Sequence, residues 1–502
     1  MKNVLEFLEQ ASQKYFTKIA FTDENNEISY GQCMENAQKV GTALLSLQSH
    51  RQPIAVMMDK NVESLTAFFG VIYSGNFYVV IDAMMPNDRI QTIFETLNPV
   101  ALICQSQYKE KAKALHHQVF VYEQMIQTDI DFIHLKEIRK QMIDTDPLYA
   151  LFTSGSTGVP KGAVLSHRNV INYASWFHDT FDIQEDTQFG SQTPFYFSMS
   201  VSDVFSTIIA GATLHILPKK LFSFPVKLIE YMNEKHVNTI YWVPSALGII
   251  ANMKVLDYVK LNDIQKVLFA GEVMPTKHLN YWKKHYPDIM YANLFGPTET
   301  TDICTYYIVD REFSDDEVLP IGKACQNCDI FLLDENNHEI TDDKEGELCV
   351  RGSFLALGYY NNPQKTKEVF VQNPLNQAYP EIIYRTGDLV KYNERGELIY
   401  ITRKDFQIKH MGYRIELGEI EAAVYALSKI QSCAVIYDEL EDKIILIYTG
   451  KITDTEIMSG ISNKIPQYMY PNKIIKMKAM PLNQNGKIDR KWLKNHYHEE
   501  EK

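Results

Sequence analysis

The chain has 502 residues, of which 45% are hydrophobic and 23% charged, and its formal net charge is -13 at pH 7. These values are typical of globular proteins and exclude a disordered or fibrous chain, while the length predicts two or more packed units. The acidic balance argues against a nucleic-acid-binding surface, because such surfaces need lysine and arginine in clustered excess.

No segment approaches the roughly 18 apolar residues of a membrane span, and the opening MKNVLEFLEQASQKYF lacks the apolar stretch of a signal peptide. We therefore expect a cytoplasmic protein with no membrane partner. Seven cysteines are scattered along the chain, and only Cys325 and Cys328 form a CxxC pair. Because a structural zinc ion needs about four ligands, we expect neither zinc nor a disulfide.

The first part of the chain alternates helix-like and strand-like segments after an amphipathic opening helix. Strand-length apolar runs are PIAVMM, GNFYVVI, PVALIC, VNTIYWVPS, KVLFAGE and IMYANLFGPTE. This alternation is typical of an α/β layer fold, in which ligands bind in the loops after parallel strands. We therefore expect the chemistry in those loops.

The pattern changes twice towards the C-terminus. After about Gly346, short strands and turns such as GELCVRG and LVKYNERGELIYI predict a β-rich subdomain. From Asp405 onward, helix-compatible IELGEIEAAVYALSKI alternates with strand-like CAVIYDE and KIILIYTG, which predicts a compact α+β unit. The fold prediction is a large α/β region over 1–404 that includes the β-rich subdomain, followed by a small mobile α+β domain over 405–502.

A loop rich in glycine and hydroxyl residues follows the strand-like segment LYALFT. Its sequence TSGSTGVPKG runs from Thr153 to Gly162. Small residues let backbone N–H groups approach an anion, hydroxyls donate to oxygens, and Lys161 adds positive charge, so the loop is suited to phosphate. It differs from the common P-loop, because Pro160 precedes the lysine and the glycine spacing is different.

This loop resembles the signature loop of the adenylate-forming superfamily, which includes acyl-CoA synthetases, luciferase-like enzymes and the adenylation domains of nonribosomal peptide synthetases. Further segments match that family in the same order, and the resemblance extends from about residue 10 to residue 491. They are NLFGPTET at 293–300, GEL at 346–348, YRTGD at 384–388, RKDFQIK at 403–409 and NGKIDR at 485–490. Within the superfamily the chain is most similar to peptide-synthetase adenylation domains and D-alanine:carrier-protein ligases.

The resemblance implies a reaction in which a carboxylate attacks the α-phosphorus of ATP, giving an acyl-adenylate and pyrophosphate, after which a thiol displaces AMP. Lys487 matches the catalytic lysine that bridges the substrate carboxylate and the α-phosphate. The implied ATP-binding residues are Thr153, Ser154, Gly155, Ser156, Thr157, Gly158, Lys161, Asn293, Phe295, Gly296, Thr298, Asp388, Arg403 and Lys487.

Several of these residues have an implied partner on the nucleotide. Asp388 resembles the aspartate that accepts from both ribose hydroxyls, a task suited to two carboxylate oxygens. Asn293 and Phe295 should hold adenine from one side of an extended segment. Glu299 matches the acidic residue that supports Mg²⁺ on the phosphates, and Arg403 is expected to reach ribose or phosphate.

Asp405 resembles the hinge residue about which the small domain of the family rotates between adenylation and thioester formation. Rotation would withdraw Lys487 after the first step and bring the segment 409–414 to the channel for the incoming thiol. An ordinary turn residue is the alternative for Asp405.

The predicted substrate pocket departs from the pattern of amino-acid-activating relatives, in which an aspartate pairs with the α-ammonium group. Ser198 stands at that position here, and a carboxylate occurs instead at Asp302, where D-alanine ligases have an apolar residue. Asp302 either holds the amine from another wall, which would suit a β-amino or otherwise unusual amino acid, or points away from a pocket for a neutral hydroxy, keto or aryl acid. The predicted pocket residues are Ser198, Met199, Ser202, Trp242, Leu268, Ala270, Leu294 and Asp302.

The expected acceptor is the phosphopantetheine thiol of a separate carrier protein, because no serine-bearing carrier segment follows Lys487. An acyl-CoA or aryl-acid ligase that uses coenzyme A is the alternative, since it would share every ATP motif. Trp242 has core packing as its alternative role.

Overall fold

The computed structural model describes residues 1–155, 159–405, 407–482 and 488–498. The chain divides into two compact units. Unit 1 comprises Met1–Ala83, Leu97–Leu151 and Gly162–Lys404, and unit 2 comprises Met84–Thr96, Phe152–Lys161 and Asp405–Lys502.

The strands follow one another along the chain in both units. They are β1 Ile19–Thr22, β2 Glu27–Ser29, β3 Pro53–Met57, β4 Phe77–Val80, β5 Ala101–Cys104, β6 Val119–Val121, β7 Pro147–Thr153, β8 Lys161–Ser166, β9 Gln188–Ser191, β10 Thr213–Ile216, β11 Thr239–Trp242, β12 Lys266–Phe269, β13 Met290–Phe295, β14 Thr305–Ile308, β15 Lys323–Ala324, β16 Cys328–Leu333, β17 Glu339–Ile340, β18 Gly346–Gly352, β19 Gly358–Tyr359, β20 Phe370–Gln372, β21 Ile382–Tyr392, β22 Leu398–Arg403, β23 Gln407–His410, β24 Tyr413–Glu416, β25 Ile430–Asp438, β26 Lys443–Gly450 and β27 Lys473–Lys476.

The helices alternate with these strands. They are α1 Leu5–Lys14, α2 Tyr30–Ala43, α3 Val62–Tyr73, α4 Asn87–Leu97, α5 Lys109–Leu115, α6 Tyr122–Met125, α7 Phe132–Gln141, α8 His167–Thr180, α9 Met199–Ala210, α10 Pro225–Glu234, α11 Pro244–Asn252, α12 Thr276–His285, α13 Pro363–Val369, α14 Leu417–Tyr425, α15 Asp454–Ile461 and α16 Arg490–His496.

Two sheets of mainly parallel strands carry the α/β part of unit 1. One has the order β15-β14-β13-β12-β11-β9-β10-β1-β2, and the other β19-β8-β7-β4-β3-β5-β6. Their central strands are continuous apolar runs, as in β3, where every residue is buried. Strands covered on both faces require such runs, so the apolar segments predicted as strands were identified correctly, and the α/β class is confirmed.

The helices α2, α3, α7 and α8 begin where a side chain accepts from a free backbone N–H group. Asn61 caps α3 by accepting from the Ser64 N–H, and the Ser64 hydroxyl side chain completes a capping box. The α3 helix is mainly apolar, and all its residues except Glu63 are buried, because it packs within the core instead of lying on the surface. This packing places β3 and β4 side by side in parallel, with Pro53 opposite Phe77.

The β-rich part of unit 1 is an antiparallel sheet in the order β17-β16-β18-β21-β20, with β22 paired to β21. The strand β21 is long, and its residues Asp388 and Leu389 lie opposite Arg403 and Thr402 of β22. The segment LVKYNERGELIYI, which was predicted to contain short strands and a turn, forms the end of β21, the turn at Glu394–Gly396 and the start of β22. The β-rich subdomain expected after Gly346 is therefore confirmed.

Unit 2 contains the hairpin β23-β24 and the sheet β25-β26-β27. Its core is formed by apolar residues of α14, α15, β25 and β26, including Ile420, Val435, Leu446 and Ile457. The α+β character expected from Asp405 onward is confirmed by these elements.

Two segments expected in the N-terminal region, Met84–Thr96 and Phe152–Lys161, group with unit 2. The reason is specific contact within that unit: Arg89 forms an ion pair with Glu419, and the Ser154 hydroxyl bonds to the backbone of Arg414. The division into domains 1–404 and 405–502 stays a prediction.

Within the described ranges, no helix is both long and apolar enough to cross a membrane. All seven cysteines are buried with free thiols.

Candidate active site

The candidate site is built on three parallel neighbours of unit 1, β11, β12 and β13. Tyr241 of β11 lies opposite Leu268 of β12, which lies opposite Ala292 of β13. Residues opposite one another in a parallel sheet point to the same face, and so do residues two apart along a strand. Tyr241, Leu268 and Leu294 therefore share one face, while Asn293 and Phe295 share the other.

The segment after β13 turns sharply before it reaches Asp302. Thr301 has φ 71° and ψ -54°, and the Asp302 N–H donates to the Thr300 carbonyl at 2.9 Å. These values describe a γ-turn of the rare strained type, which is unusual for a β-branched residue. The Thr301 hydroxyl holds the turn by donating to the Phe354 carbonyl at 2.8 Å. Backbone strain of this kind is concentrated at functional sites.

Gly296 permits the close return of the chain at this turn. A Cβ atom there would lie 2.6 Å from the Asp302 carbonyl oxygen and 2.7 Å from the Cys304 nitrogen. Any larger residue would push the backbone of Asp302 away from the end of β13. Gly296 therefore acts through backbone packing on the position of Asp302.

The Asp302 side chain points into unit 1 and lies among four hydroxyl groups. Its Oδ1 accepts from Ser198 at 2.9 Å, and its Oδ2 accepts from Tyr241 at 2.9 Å, Tyr173 at 3.0 Å and Ser202 at 3.3 Å. Asp302 is only 2% exposed. Among the described residues, none forms an ion pair with this carboxylate. The hydroxyls solvate it without neutralising its charge.

Burial raises the pKa of Asp302 to about 6, although the hydroxyls of Ser198, Tyr241, Tyr173 and Ser202 oppose the rise. The adjacent helix residue Asp203 is also buried, and burial raises its pKa, while the Ser191 hydroxyl and the buried Lys60 ammonium oppose the rise and Asp302 adds a smaller increase. This part of unit 1 therefore contains two buried carboxylates, and a cation would be stabilised beside Asp302.

The remaining predicted pocket residues differ in their surroundings. Met199 begins α9 and lies near Gly271, and Ser202 is one turn further along the helix. Trp242 is fully buried, donates from its indole N–H to the Gly190 carbonyl at 2.7 Å and packs edge-on against Phe222. Leu268, Ala270 and Leu294 are buried in the main core. Trp242 thus occupies a core position on the face of β11 opposite Tyr241.

The other face of β13 carries the predicted adenine-binding residues. Asn293 donates from Nδ2 to the Pro320 carbonyl at 2.8 Å, and its Oδ1 accepts no hydrogen bond from the described part of the chain. The ring centroid of Phe295 lies 5.6 Å from that of Tyr400. A free amide oxygen beside aromatic rings fits a base that carries an amino group.

Asp388 and Arg403 lie opposite each other on β21 and β22 and form a buried ion pair. Arg403 Nη1 is 2.7 Å from Asp388 Oδ1, and Arg403 Nη2 donates to the Thr386 carbonyl at 3.0 Å. Within the ranges that the structure describes, Oδ2 of Asp388 accepts no hydrogen bond. The free acceptor fits the predicted contact with a ribose hydroxyl.

Glu299 is fully buried, and its Oε1 accepts from the Tyr359 hydroxyl at 2.5 Å. Thr298 lies nearby in sequence and donates to the Ser198 hydroxyl at 3.4 Å. No cluster of three or more His, Cys, Asp or Glu side chains that could hold a metal occurs among the described residues. A carboxylate oxygen suits Mg²⁺, which takes its other ligands from phosphates and water.

The described part of the predicted phosphate loop lies in unit 2. The Thr153 hydroxyl donates to the Lys161 carbonyl at 3.5 Å, and the Ser154 hydroxyl donates to the Arg414 carbonyl at 2.7 Å and accepts from the Glu416 N–H at 3.1 Å. Gly155 is required because a Cβ atom there would collide with the Val159 carbonyl.

Several other predicted residues are placed only in part. Lys161 is the buried first residue of β8, and Asp405, the first residue of the last segment of unit 2, accepts from the Gln407 N–H at 3.3 Å. Ser156, Thr157, Gly158 and Lys487 lie outside the described residues.

The sequence analysis did not identify Tyr173, Tyr241, Tyr359 or Tyr400. Each is a tyrosine within an ordinary helix or strand, with no motif around it to indicate a site. The usable signal was the alternation of side chains along β11, which puts Tyr241 and Trp242 on opposite faces of the sheet. It does not tell which of these two residues lies on the side of Asp302.

Comparison with known proteins places these features in context. The model of a family described as AMP-binding enzyme matches residues 7–360. Tyrocidine synthase 1 of Brevibacillus parabrevis is 31% identical over 501 residues, which cover 98% of this chain and 45% of the synthase. Zwittermicin A synthase ZmaJ of Bacillus cereus is 31% identical over 453 residues, which cover 88% of this chain and 84% of that protein.

Solved structures show the same fold. The Vibrio cholerae adenylation domain AlmE, in complex with glycyl-adenosine-5'-phosphate, matches with a TM-score of 0.85 and 21% identity, covering 99% of this chain and 98% of that one. The predicted fold, a large N-terminal α/β region with a smaller C-terminal domain, is confirmed by this likeness. Almost the whole of this chain aligns with several synthases, but it spans less than half of the length of each of them.

Proposed function

Because the chain belongs to the family of AMP-binding enzymes, we propose that it activates a small amino acid with ATP and passes the acyl group to the phosphopantetheine thiol of a separate carrier protein. In the first step a substrate carboxylate oxygen attacks the α-phosphorus, and pyrophosphate leaves. In the second step a thiolate attacks the acyl carbon, and AMP leaves. Family membership makes ATP the implied nucleotide.

The observation that carries the amino-acid part of the proposal is the Asp302 carboxylate. It is buried among four hydroxyls without an ion-pair partner in the described chain. An isolated buried charge costs several kcal/mol, and a substrate ammonium would remove that cost. A neutral hydroxy, keto or aryl acid would leave the charge uncompensated. The inward direction of Asp302 supports the amine-bearing alternative over the neutral one.

The position of Asp302 also bears on where the amine lies in the substrate. Ser198 matches in sequence the position of the aspartate in amino-acid-activating relatives, and its hydroxyl lies 2.9 Å from Asp302 Oδ1. Oδ2 already accepts three hydrogen bonds, whereas Oδ1 accepts one. We therefore expect the ammonium at Oδ1, at a β or more distant carbon of the acid.

The proposed nucleotide contacts follow the chemistry of the side chains. Asn293 Oδ1 accepts from the adenine amino group, Phe295 lies against the base, and Asp388 Oδ2 accepts from ribose. Thr298 and the loop from Thr153 to Lys161 would contact phosphate oxygens. Glu299 is the proposed protein ligand of Mg²⁺, which would neutralise phosphate charge.

Lys487 is the proposed catalytic residue, and Asp405 the proposed hinge. A lysine ammonium between the carboxylate and the α-phosphate stabilises the charge that gathers in the transition state. The carrier in trans and a cytoplasmic location stay predictions from the sequence. Coenzyme A as the acceptor is the alternative, and no contact among the described residues favours it.

The test of the first step is ATP–pyrophosphate exchange with purified protein and Mg²⁺, across α-amino, β-amino, hydroxy and aryl acids. Exchange with an amine-bearing class that is lost in Lys487→Ala and kept in Lys491→Ala is the expected result. Lys491 is the matched control because it is a nearby lysine on α16 outside the proposed site. Exchange only with amine-free acids would contradict the amino-acid proposal.

The test of the second step supplies the best acid from the exchange panel together with either a phosphopantetheinylated carrier protein or coenzyme A. We expect thioester on the carrier and no acyl-CoA. Formation of acyl-CoA alone would replace the carrier proposal with the alternative.

A further inference from the structure

Glu347 of β18 is a buried carboxylate that binds two cationic side chains at once. Its Oε2 is 2.6 Å from Arg385 Nη2 and 3.2 Å from Lys404 Nζ, and its Oε1 accepts from the Gly387 N–H at 3.2 Å. The Glu347 side chain is 7% exposed. Hydrogen bonds to an ionised and buried acceptor are among the stronger ones in proteins, so Glu347 holds its partners firmly.

All three partners of Glu347 adjoin the turn that presents Asp388. Arg385 and Gly387 immediately precede Asp388 on β21, and the Lys404 N–H donates to the Gly387 carbonyl at 2.8 Å. Gly387 has φ 76°, a conformation that favours glycine, and the register of β18 against β21 shifts beside it. The turn is therefore irregular backbone whose shape depends on side-chain contacts.

Removing the Glu347 charge would leave Arg385 and Lys404 without their shared anion. Asp388 is an acidic group beside the same turn, and its Oδ1 is already paired with Arg403. Its Oδ2 accepts no hydrogen bond within the described ranges. The register places Asp388 and Arg403 on the face of the sheet opposite Glu347 and Arg385, so a change in the shape of the turn would move Asp388 through the backbone.

We propose that Glu347 is a positioning residue for nucleotide binding: by binding Arg385, Gly387 and Lys404 it fixes the shape of the Arg385–Asp388 turn, so that Asp388 Oδ2 is held where a ribose hydroxyl can reach it. This inference rests on the proposed role of Asp388. Glu347 itself contacts neither substrate. Its effect is expected on the affinity for ATP and not on recognition of the acid.

The experiment measures the Kd of ATP by calorimetry and the KM of ATP and acid by pyrophosphate exchange. Glu347→Gln should weaken ATP binding roughly tenfold to a hundredfold and leave the KM of the acid within twofold. The Kd of ATP for Glu347→Asp, which keeps the charge, should lie between that of the unsubstituted protein and that of Glu347→Gln. Glu381→Gln is the matched control, because Glu381 pairs with Arg351 at 2.6 Å in the same β-rich region without touching the turn.

A double-mutant cycle tests whether Glu347 acts through Asp388. In an Asp388→Ala background, Glu347→Gln should change the Kd of ATP by less than twofold, because the group that it positions is gone. Equal effects of Glu347→Gln in both backgrounds would overturn the proposal, and so would an unchanged Kd in folded Glu347→Gln. If Glu347→Gln does not fold, Arg385→Lys replaces it in the experiment. An unchanged Kd of ATP in Arg385→Lys would likewise overturn the proposal.

Failure of the proposed function gives a different result. In that case the unsubstituted chain itself would bind no ATP and support no exchange with any acid. Binding of ATP by the unsubstituted chain that is insensitive to Asp388→Ala would remove the ribose role of Asp388 and with it this inference, while leaving activation of an acid intact.

Discussion

The Tyr241 hydroxyl donates a 2.9 Å hydrogen bond to Oδ2 of Asp302, although the two residues are 61 positions apart in the chain. Tyr241 ends up there because β11 and β13 lie on either side of β12 in one parallel sheet. The strained turn at Thr301 then brings Asp302 back over the face of that sheet. The hydrogen bond links the proposed amine anchor to the sheet, and the first four predictions concern these two residues.

Asp302→Asn should abolish pyrophosphate exchange with amine-bearing acids and leave the Kd of ATP unchanged. Loss of the partner of a buried ammonium costs on the order of 3–5 kcal/mol, which corresponds to a fall in kcat/KM of at least about 100-fold. Asp310→Asn is the matched control, because Asp310 accepts from the Tyr307 hydroxyl at 2.7 Å but is exposed. Full exchange activity in Asp302→Asn would remove Asp302 as the amine anchor.

The KM of the acid should depend on pH through Asp302. Burial raises the pKa of this carboxyl to about 6. The ionised form, which pairs with an ammonium, predominates above that pH and is lost as the pH falls through it. The KM of the acid is therefore expected to rise below pH 6, while the KM of ATP does not follow. A flat profile between pH 5 and 8, measured by pyrophosphate exchange, would contradict this assignment.

The raised pKa of Asp302 also affects stability: binding of the acid should improve as the pH rises, but the free energy of unfolding should decrease. In the unfolded chain an aspartate titrates near 4, so between about pH 4 and 6 the folded protein without substrate binds more protons than the unfolded one. The free energy of unfolding contributed by Asp302 should fall as the pH rises through this window, by about 3 kcal/mol. An amine-bearing acid should restore it. Chemical denaturation at pH 4.5 and pH 7, with and without the acid, measures the difference.

Tyr241→Phe should move the pH dependence of the acid KM to a higher midpoint. The Tyr241 hydroxyl lowers the pKa of Asp302 against the effect of burial, so its removal lets the pKa rise further above 6. The loss of one hydrogen bond to a charged group should weaken acid binding roughly tenfold at pH 7. Tyr291→Phe is the control, because the Tyr291 hydroxyl donates to the Tyr286 carbonyl at 2.9 Å and does not contact Asp302. A midpoint that moves to lower pH in Tyr241→Phe would contradict the prediction that the Tyr241 hydroxyl lowers the pKa of Asp302.

Tyr400→Ala should raise the KM of ATP about two- to tenfold, because the Phe295 ring, which we propose to lie against adenine, would lose its aromatic neighbour. Tyr400→Phe keeps the ring and should behave like the unsubstituted protein. The KM of the acid should change little in either variant. Equal effects of the two substitutions on the KM of ATP would assign the role to the Tyr400 hydroxyl and not to its ring.

The fold could be predicted in outline because buried strands appear in the local sequence as apolar runs of strand length. The runs at β3, β4, β5, β11, β12 and β13 were all identified, since strands covered on both faces have few alternatives to Val, Ile, Leu and Phe. The grouping of Met84–Thr96 with unit 2 was missed. It depends on Arg89 meeting Glu419, 330 positions away in the chain, and local sequence contains no trace of such a contact.

Short motifs indicated Asn293, Phe295 and Asp388 as candidate nucleotide-binding residues, because each motif itself contains the chemistry, and their roles stay predictions. The contacts of a candidate residue could not be predicted where its partners belong to elements that are distant in the sequence. Ser198 and Asp302 were both identified, but whether Asp302 points inward was left open. The geometry of Thr301 decides it, because a single residue with positive φ reverses the chain and directs the carboxylate into the protein.

The sequence by itself determined which chemical groups are available: a loop of glycine and hydroxyl residues suited to phosphate, a lysine at position 487, and an aspartate at position 302. These follow from residue type and spacing, which folding does not change. Only the tertiary structure decided how the groups combine: four hydroxyls on Asp302, and two cations on Glu347 beside Asp388. Hydrogen bonds and ion pairs act over about 3 Å, so their partners are known only after the strands and helices have packed.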